Sequence, residues 1–386
     1  MYDVIVVGAR AAGAATAMLA ARAGLRVLVI DRSRYGSDTL STHALMRGAV
    51  LQLRRWGLLT AIQAAGTPAI RRATFHYRDG RAEVEIAPSY GVDALYAPRR
   101  TVLDPILVDA AAEAGAETRF GATVHDVVRD AGGTVIGVTG LDRLGHRFTE
   151  WARWVVGADG VRSVVAERVG APITRRAAST SAFVYGHWDG VDTGGYDWVF
   201  RSSATAGVIP TNDGLTTVFA GSAATSDIGV ADFEPLLRKA SPEVAGRVLA
   251  GRRVGNLRLF AGRPGYIRRP WGRGWALVGD AGYWKDPLTA HGLTDALRDA
   301  ELLARALVAT LVNGDDRAME RYELTRDGLS ARLFAVADTL ASMRWSDGEI
   351  GGLLRELSAS ATAEVEFLAG LEPIELIAAD WHAMKC

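Results

Sequence analysis

The run Val4-Ile5-Val6-Val7 stops at Gly8, and from Ala11 to Ala23 the chain is alanine-rich and free of proline. A short, wholly apolar run suits a strand buried on both faces of a parallel sheet, and proline-free alanine-rich sequence favours helix. Arg26 to Ile30 is a second strand of the same kind. The chain therefore opens with a βαβ unit, which commits it to an α/β fold with a parallel sheet. Gly8-Ala9-Arg10-Ala11-Ala12-Gly13 stands between strand and helix, and Asp31 ends the second strand. That placement fits a dinucleotide-binding turn, with an acidic residue about twenty positions on to accept from an adenosine ribose hydroxyl. Arg10 replaces the glycine expected at the third position. Backbone amides at the helix start can still face a diphosphate, and Arg10 can add charge-assisted contacts.

Further along, Val155-Val156-Gly157 is another buried strand and leads into Gly157-Ala158-Asp159-Gly160-Val161-Arg162-Ser163. Trp275 to Val278 repeats the pattern before Gly279-Asp280-Ala281-Gly282, and Leu293 to Leu311 is an apolar-periodic helix halted near Asn313-Gly314. Ala94 to Gly115 reads as a loop and then a helix. From about Ile173 to Leu259 strands rich in Val, Tyr, Trp, Phe and Thr alternate with Gly-Gly and Asn-Asp-Gly turns, the pattern of an antiparallel sheet. Residues from about Tyr322 to Trp381 read as amphipathic helix.

Forty-four basic against forty-four acidic residues give a formal net charge of zero, so no global field gathers nucleic acid. No apolar stretch reaches the ~20 residues of a membrane helix. Cys386 is the one cysteine, which excludes disulfide frameworks and multi-cysteine metal sites, and the histidines show no metal-ligand spacing. Redox chemistry would need an organic cofactor. The start runs straight into a strand, with Asp3 where a signal peptide would carry positive charge, so a cytoplasmic location is expected.

The three glycine-bearing segments, in this order, resemble the FAD-dependent aromatic hydroxylases of the para-hydroxybenzoate hydroxylase type, the group A flavoprotein monooxygenases, within a superfamily that includes geranylgeranyl reductases. The resemblance covers about residues 1 to 325. It implies a Rossmann-like FAD-binding domain with a GxGxxG variant and DG and GD motifs, an inserted antiparallel β-sheet substrate domain, and C-terminal helices. The boundaries expected are 1–172 for the first FAD-binding part, with a short substrate-domain excursion near 73–95; 173–262 for the substrate sheet; 263–325 for the last FAD-binding part; and 326–386 for the helical region.

By the same resemblance, Gly8, Arg10, Ala12 and Gly13 would cradle the pyrophosphate, and Asp31 and Arg32 would meet the adenosine end. Arg47 and Arg100 match arginines that face FAD, Asp159 would shape the pyrophosphate region and the approach of nicotinamide dinucleotide, and Gly279 and Asp280 would hold the ribityl chain. Lys285-Asp286-Pro287-Leu288-Thr289-Ala290-His291-Gly292-Leu293 is the counterpart of the loop against the pyrimidine edge of the flavin, with Pro287, Gly292 and Leu293 at the ring and Lys285 and His291 as candidate catalytic side chains. Tyr185, His187 and Trp198 are candidates for the substrate pocket; Trp188, Tyr196 and Phe200 fall on the same expected strands. The reaction implied is hydroxylation or epoxidation of a small aromatic or polycyclic organic substrate, of the secondary-metabolite kind, by FAD with NADPH or NADH as reductant and O2 as co-substrate. A separate flavin reductase is the alternative electron source. Two other chemistries share the fold. A flavin halogenase would carry Trp-x-Trp-x-Ile-Pro, of which only Ile209-Pro210 is present; a geranylgeranyl reductase-like C=C reductase is echoed by Tyr196-x-Trp198-x-Phe200, although Arg201 stands where that motif has proline.

Overall fold

The computed structural model of the chain describes residues 1–224 and 228–374. It opens with the expected unit, β1 (Tyr2–Val7), α1 (Ala11–Arg22) and β2 (Val27–Asp31). Val4, Ile5 and Val6 are fully buried because β1 has a parallel neighbour on each side, Val4 opposite Val27 on one and Ile5 opposite Val155 on the other. The alanines of α1 let it lie close on the sheet.

After β2 come α2 (Arg47–Arg55) and α3 (Leu59–Ala64), then an excursion through the hairpin β3 (Arg72–Tyr77) and β4 (Gly80–Glu85). The chain returns by α4 (Arg100–Glu113) to β5 (Glu117–Phe120), β6 (Thr123–Arg129), β7 (Val135–Leu141), β8 (Arg147–Gly157) and α5 (Val164–Arg168). β8 pairs in parallel with β1, and β5 with β2, so both flank the opening unit.

β9 (Ile173–Arg176) pairs outside the second layer, which is built from β10 (Ser181–Asp189), β11 (Tyr196–Arg201), β12 (Ala204–Pro210), β13 (Leu215–Ala223), α6 (Phe233–Ala240), α7 (Pro242–Ala250) and β14 (Arg252–Phe260). Among the described residues it forms a seven-stranded sheet in the order β14-β10-β13-β12-β11-β3-β4. Two features depart from the sequence expectation. β3 joins β11 in parallel, Phe75 opposite Trp198, so the sheet is mixed. Helices α6 and α7 occupy a stretch expected to be strand; Phe233, Leu236, Leu237 and Ala240 form their own apolar helical stripe, and Ser241 caps Pro242 at the start of α7 through Val244 N–H. That stripe covers one face of the sheet, with Trp188 stacked 4.8 Å from Phe233.

β15 (Tyr266–Arg268), β16 (Trp271–Gly272), β17 (Trp275–Leu277) and β18 (Tyr283–Trp284) bring the chain back, and β17 lies parallel to β8. The first sheet then reads β16-β17-β8-β1-β2-β5, with β7 on β8 and β6 on β7. Three helices close the molecule: α8 (Gly292–Leu311), α9 (Ala318–Ser342) and α10 (Asp347–Ala369). The protein is thus a Rossmann-like α/β fold with an inserted sheet and C-terminal helices. No helix among the described residues is long and apolar enough to cross a membrane. Trp381 and Cys386 lie outside the described residues.

Candidate active site

The three glycine motifs meet at the carboxyl ends of β1, β8 and β17, where ligands of open α/β sheets sit. Gly8 has φ +106°, and a side chain there would put Cβ 2.4 Å from the Ala158 carbonyl oxygen. At Gly13 a Cβ would lie 1.9 Å from the Gly8 oxygen, and at Gly279, with φ +58°, 2.7 Å from the Cβ of Ala12. Glycine is required at all three: at Gly8 and Gly13 backbone meets backbone, and at Gly279 a positive φ and the Ala12 side chain leave no room for a Cβ. No side chain caps the start of α1, so its first amides face the crevice free to meet an anion.

A cleft beside this turn is lined by Ala9, Arg10, Asp31, Ser33, Arg34, Asp104 and Phe120. Asp31 accepts from the amides of Ala9 (2.7 Å) and Ser33 (2.6 Å), which closes the loop around its carboxylate and leaves lone pairs toward the cleft. Arg32 is exposed, and Arg34 is the arginine that lines the wall. Arg10 reaches Asp104 at 3.4 Å and the Asp38 carbonyl at 3.3 Å. Arg100 clamps Asp104 through two nitrogens at 3.0 and 2.9 Å. Burial pulls the Arg10 guanidinium down and pushes the Asp104 carboxyl up, each opposed by the other's charge.

Asp280 follows Gly279 on a single turn at the end of β17 and is partly accessible. Burial pushes its pKa up to about 6, with Arg100 and Lys285 pulling the other way. Asp159, by contrast, is turned into its own loop: it accepts from Ser163 Oγ (2.5 Å) and from the amide of Val164 (2.7 Å), closing the turn into α5. Arg47, first residue of α2, donates to the carbonyls of Val92 (2.9 Å) and Ala87 (2.7 Å) and so pins the 87–92 loop.

In the 285–292 loop, Ala290 sits in the left-handed region at φ +54°. His291 is buried, its Nδ1 2.5 Å from the Thr289 carbonyl, so Nδ1 carries the proton and Nε2 is left as an acceptor. Burial lowers its pKa to about 4, with the charge of Lys285 adding to the effect, and the ring is neutral at pH 7. His291 Nε2 and Thr289 Oγ1 are both buried without a hydrogen-bond partner. Pro287 and Leu293 are half-buried and Gly292 is exposed at the helix start. Lys285 turns the other way. Its ammonium pairs with Asp295 and lies 5.0 Å over the Tyr283 ring, within an ion network centred on the fully buried Arg298. Arg298 bonds Asp299 (2.8 Å), Ser330 (2.8 Å) and, from α10, Glu364 (2.8 Å). Burial and Arg298 bring Lys285 down to about 7.

Strand alternation divides the second sheet into two faces. Phe183, Tyr185, Tyr196, Trp198, Phe200 and Phe219 share one apolar cluster with Leu288 and Ala290 of the loop, whereas Trp188 faces α6. His187 is on the Tyr185 side of β10. It meets His43, whose Nε2 is 3.5 Å from that of His187. His43 was not evident from sequence: it lies on the loop before α2, is buried, and has φ +65°. Val336, Leu340, Met343, Trp345 and Ile350, at the corner between α9 and α10, complete the same cluster.

The sequence pattern of a family described as FAD binding domain matches residues 1–337. A menaquinone reductase of Mycolicibacterium smegmatis is 28% identical over 335 residues, covering 80% of this chain and 76% of that one. A digeranylgeranylglycerophospholipid reductase 2 of Methanopyrus kandleri is 28% identical over 352 residues, covering 83% and 81%. Among solved structures, p-nitrophenol 4-monooxygenase of Pseudomonas putida superposes with a TM-score of 0.75 at 20% identity, covering all of this chain and 98% of that one.

Proposed function

The chain belongs to the FAD binding domain family, and from that premise we propose that it is an FAD-dependent monooxygenase that hydroxylates or epoxidises a compact, ring-bearing organic substrate with NAD(P)H and O2. The cradle of Gly8, Gly13 and Gly279, the uncapped start of α1, and the unpartnered Thr289 Oγ1 and His291 Nε2 all fit an FAD lying from the Asp31 cleft to the 285–292 loop. When bound, FAD supplies electron storage from the nicotinamide and the reaction with oxygen.

The observation that carries this reading is the aromatic cluster that the second sheet packs against the 285–292 loop. Phe183, Trp198, Phe200 and Phe219 present rings beside Leu288 and Ala290, and Trp345, Met343 and Ile350 cover them. Trp345 is fixed by its indole N–H, which donates to the Leu340 carbonyl at 3.1 Å. Buried aromatic surface of this kind beside the loop suits oxygen activation, which must proceed away from water, and flat apolar side chains suit a ring. Within it, His291 Nε2 would accept a proton-bearing group rather than donate one. Asp280 would hold the ribityl chain, and Asp31 the ribose.

A second reading, reduction of a C=C bond, is favoured by the two reductase relatives and by Tyr196, Trp198 and Phe200 standing together on the inner face. Reductive turnover needs no oxygen. FAD-loaded protein would be screened for compounds that accelerate flavin bleaching by NADPH, and the hits incubated in air and under argon. Product formed in air alone supports oxygenation; a product two hydrogens heavier formed equally under argon makes the enzyme a reductase.

A further inference from the structure

The rings of Phe183, Trp198, Phe200 and Phe219 are buried and packed on one another, Phe183 5.3 Å from Phe219 and Phe219 6.2 Å from Trp198 between ring centres. A ring-bearing substrate reaches them only when a neighbouring element moves aside, because a close-packed interior has no room to spare. Most of the neighbours are pinned. Strands β10, β13, β12 and β11 are joined by continuous ladders. The 285–292 loop is tied to β10 by Asp286, which accepts from the Ser181 amide (2.7 Å), Ser181 Oγ (2.6 Å) and the Leu288 amide (3.1 Å). The 87–92 loop, next to Ile86 at the rim of the cluster, is held by Arg47 on two carbonyls and by Arg54 on that of Tyr90. At the end of α9, Trp345 is fixed to the Leu340 carbonyl.

The start of α10 is held by much less. Ile350 is the one buried side chain of this helix before Glu364, with Leu353, Leu354 and Leu357 half-buried against the cluster. Its ion pair to the sheet, Arg78 with Asp347 at 3.4 Å, is open to solvent on the arginine side, where such pairs contribute little. The capping box of Ser346 and Glu349 lies within the helix and moves with it. Gly348, Gly351 and Gly352 fall in the first two turns, yet an added Cβ would meet nothing nearer than 3.5 Å at any of them, and none has a positive φ. Neither space nor a left-handed turn requires glycine there, so its effect is to weaken the helix. The far half of α10 is the opposite: Glu364 bonds the buried Arg298 at 2.8 Å, and Val365 and Leu368 are buried in the first core. Met343, at φ +49°, makes the sharp corner that precedes the helix. We propose that residues 346–357 are the gate of the aromatic cluster: they unwind between the fixed corner at Met343–Trp345 and the docked half at 363–369, lifting Ile350 and the three leucines off the rings so that substrate enters and product leaves. This rests on the cluster being the substrate pocket. The gate sets rates of entry and exit, and the closed state that holds the ligand is the same one that the free protein adopts.

The test uses FAD-loaded protein without turnover. Hydrogen exchange read by mass spectrometry should show the amides of 351–357 exchanging at least about a hundredfold faster than those of 363–369. The double variant Gly351→Ala/Gly352→Ala then closes the gate: each exchange of glycine for alanine shifts a helix–coil balance by about fivefold, so the pair shifts it by up to about twenty-five-fold. In that variant exchange of 351–357 should slow at least about tenfold. Binding of 2-naphthol, followed in stopped flow by the flavin absorbance, should slow by a similar factor in both association and dissociation, with Kd within about twofold of the parent. Gly328→Ala, the same change at an exposed site in α9 where a Cβ meets nothing within 4 Å, should leave both rates within about twofold. Equal exchange in the two halves of α10 would overturn the proposal. So would unchanged naphthol rates in the alanine pair, which would leave the cluster as the pocket and place its entrance elsewhere, or equal slowing by Gly328→Ala, which would make the effect one of general stability. Naphthol that does not bind at all would remove the cluster as the pocket, and the gate with it.

Discussion

Replacing Asp280 by asparagine should move apo-protein stability and FAD affinity in opposite directions. The carboxylate is half-buried at the end of β17 and its pKa is raised to about 6, chiefly by burial. An acid whose native pKa lies above its unfolded value of about 3.9 holds its proton longer when folded, so stability falls as pH rises between the two values and stays low above. The shift to about 6 corresponds to roughly 3 kcal/mol at pH 7.5 and about half that at pH 5. Solvent at the partly open side makes these upper figures. Asparagine removes the charge and keeps the shape. The apo variant should therefore melt several degrees above the parent at pH 7.5, with the gap about halved at pH 5. Toward FAD the variant offers a neutral acceptor instead of a charged one, a loss of about 1–1.5 kcal/mol, or roughly five- to tenfold in affinity. Melting curves of stripped protein at both pH values and a fluorescence titration with FAD measure the two effects. A variant that is less stable at pH 7.5 and binds FAD unchanged would show Asp280 to be a structural carboxylate, and the reasoning would fail.

Gly13→Val should abolish FAD retention on purification, since even a Cβ would lie 1.9 Å from the Gly8 carbonyl oxygen; a yellow variant with parental flavin content would contradict the cradle. Glu364→Ala removes a carboxylate from the buried Arg298 and should cost about 3 kcal/mol, read as a lower urea midpoint; an unchanged midpoint would show that α10 is not anchored by this pair. His291 has its pKa lowered to about 4, so its native form resists protonation and stability is lost as pH falls from about 6.5 toward 4; His291→Asn should flatten that slope, and an unaltered slope would place the histidine in contact with solvent. Asp159→Ala should lower the melting temperature by loss of its turn-closing bonds, about 1 kcal/mol, and slow flavin reduction by NADPH more than reoxidation in stopped-flow traces; equal slowing of both would leave Asp159 a turn-closing residue alone.

The crevice was legible because it is made by backbone contact. Gly8 and Gly13 stand where two backbone segments touch and Gly279 stands against the Ala12 side chain, and the need for a missing Cβ is written directly into the residue type. Asp31 and Asp280 were legible from their positions after buried strands. Direction was not. The 285–292 segment announces two basic side chains, but only tertiary structure tells that Lys285 turns to Asp295 and Arg298 while His291 keeps an open nitrogen toward the loop. Arg32 and Arg34 are alike in sequence, and the wall of the cleft selects the second. His43 carried no signal, because its importance lies in a left-handed backbone and in meeting His187 from another layer. Helices α6 and α7 were hidden by the β-rich sequence on both sides, although the spacing of Phe233, Leu236, Leu237 and Ala240 is helical.

The most direct test of oxygenation is the fate of labelled oxygen. FAD-loaded protein, NADPH and a substrate found by the bleaching screen would be incubated under ¹⁸O2 and the product weighed by mass spectrometry. A monooxygenase gives a product carrying one ¹⁸O atom, the other atom leaving as water. A product with no label, heavier than the substrate by two hydrogens and formed equally well without oxygen, would contradict the proposal and establish a reductase.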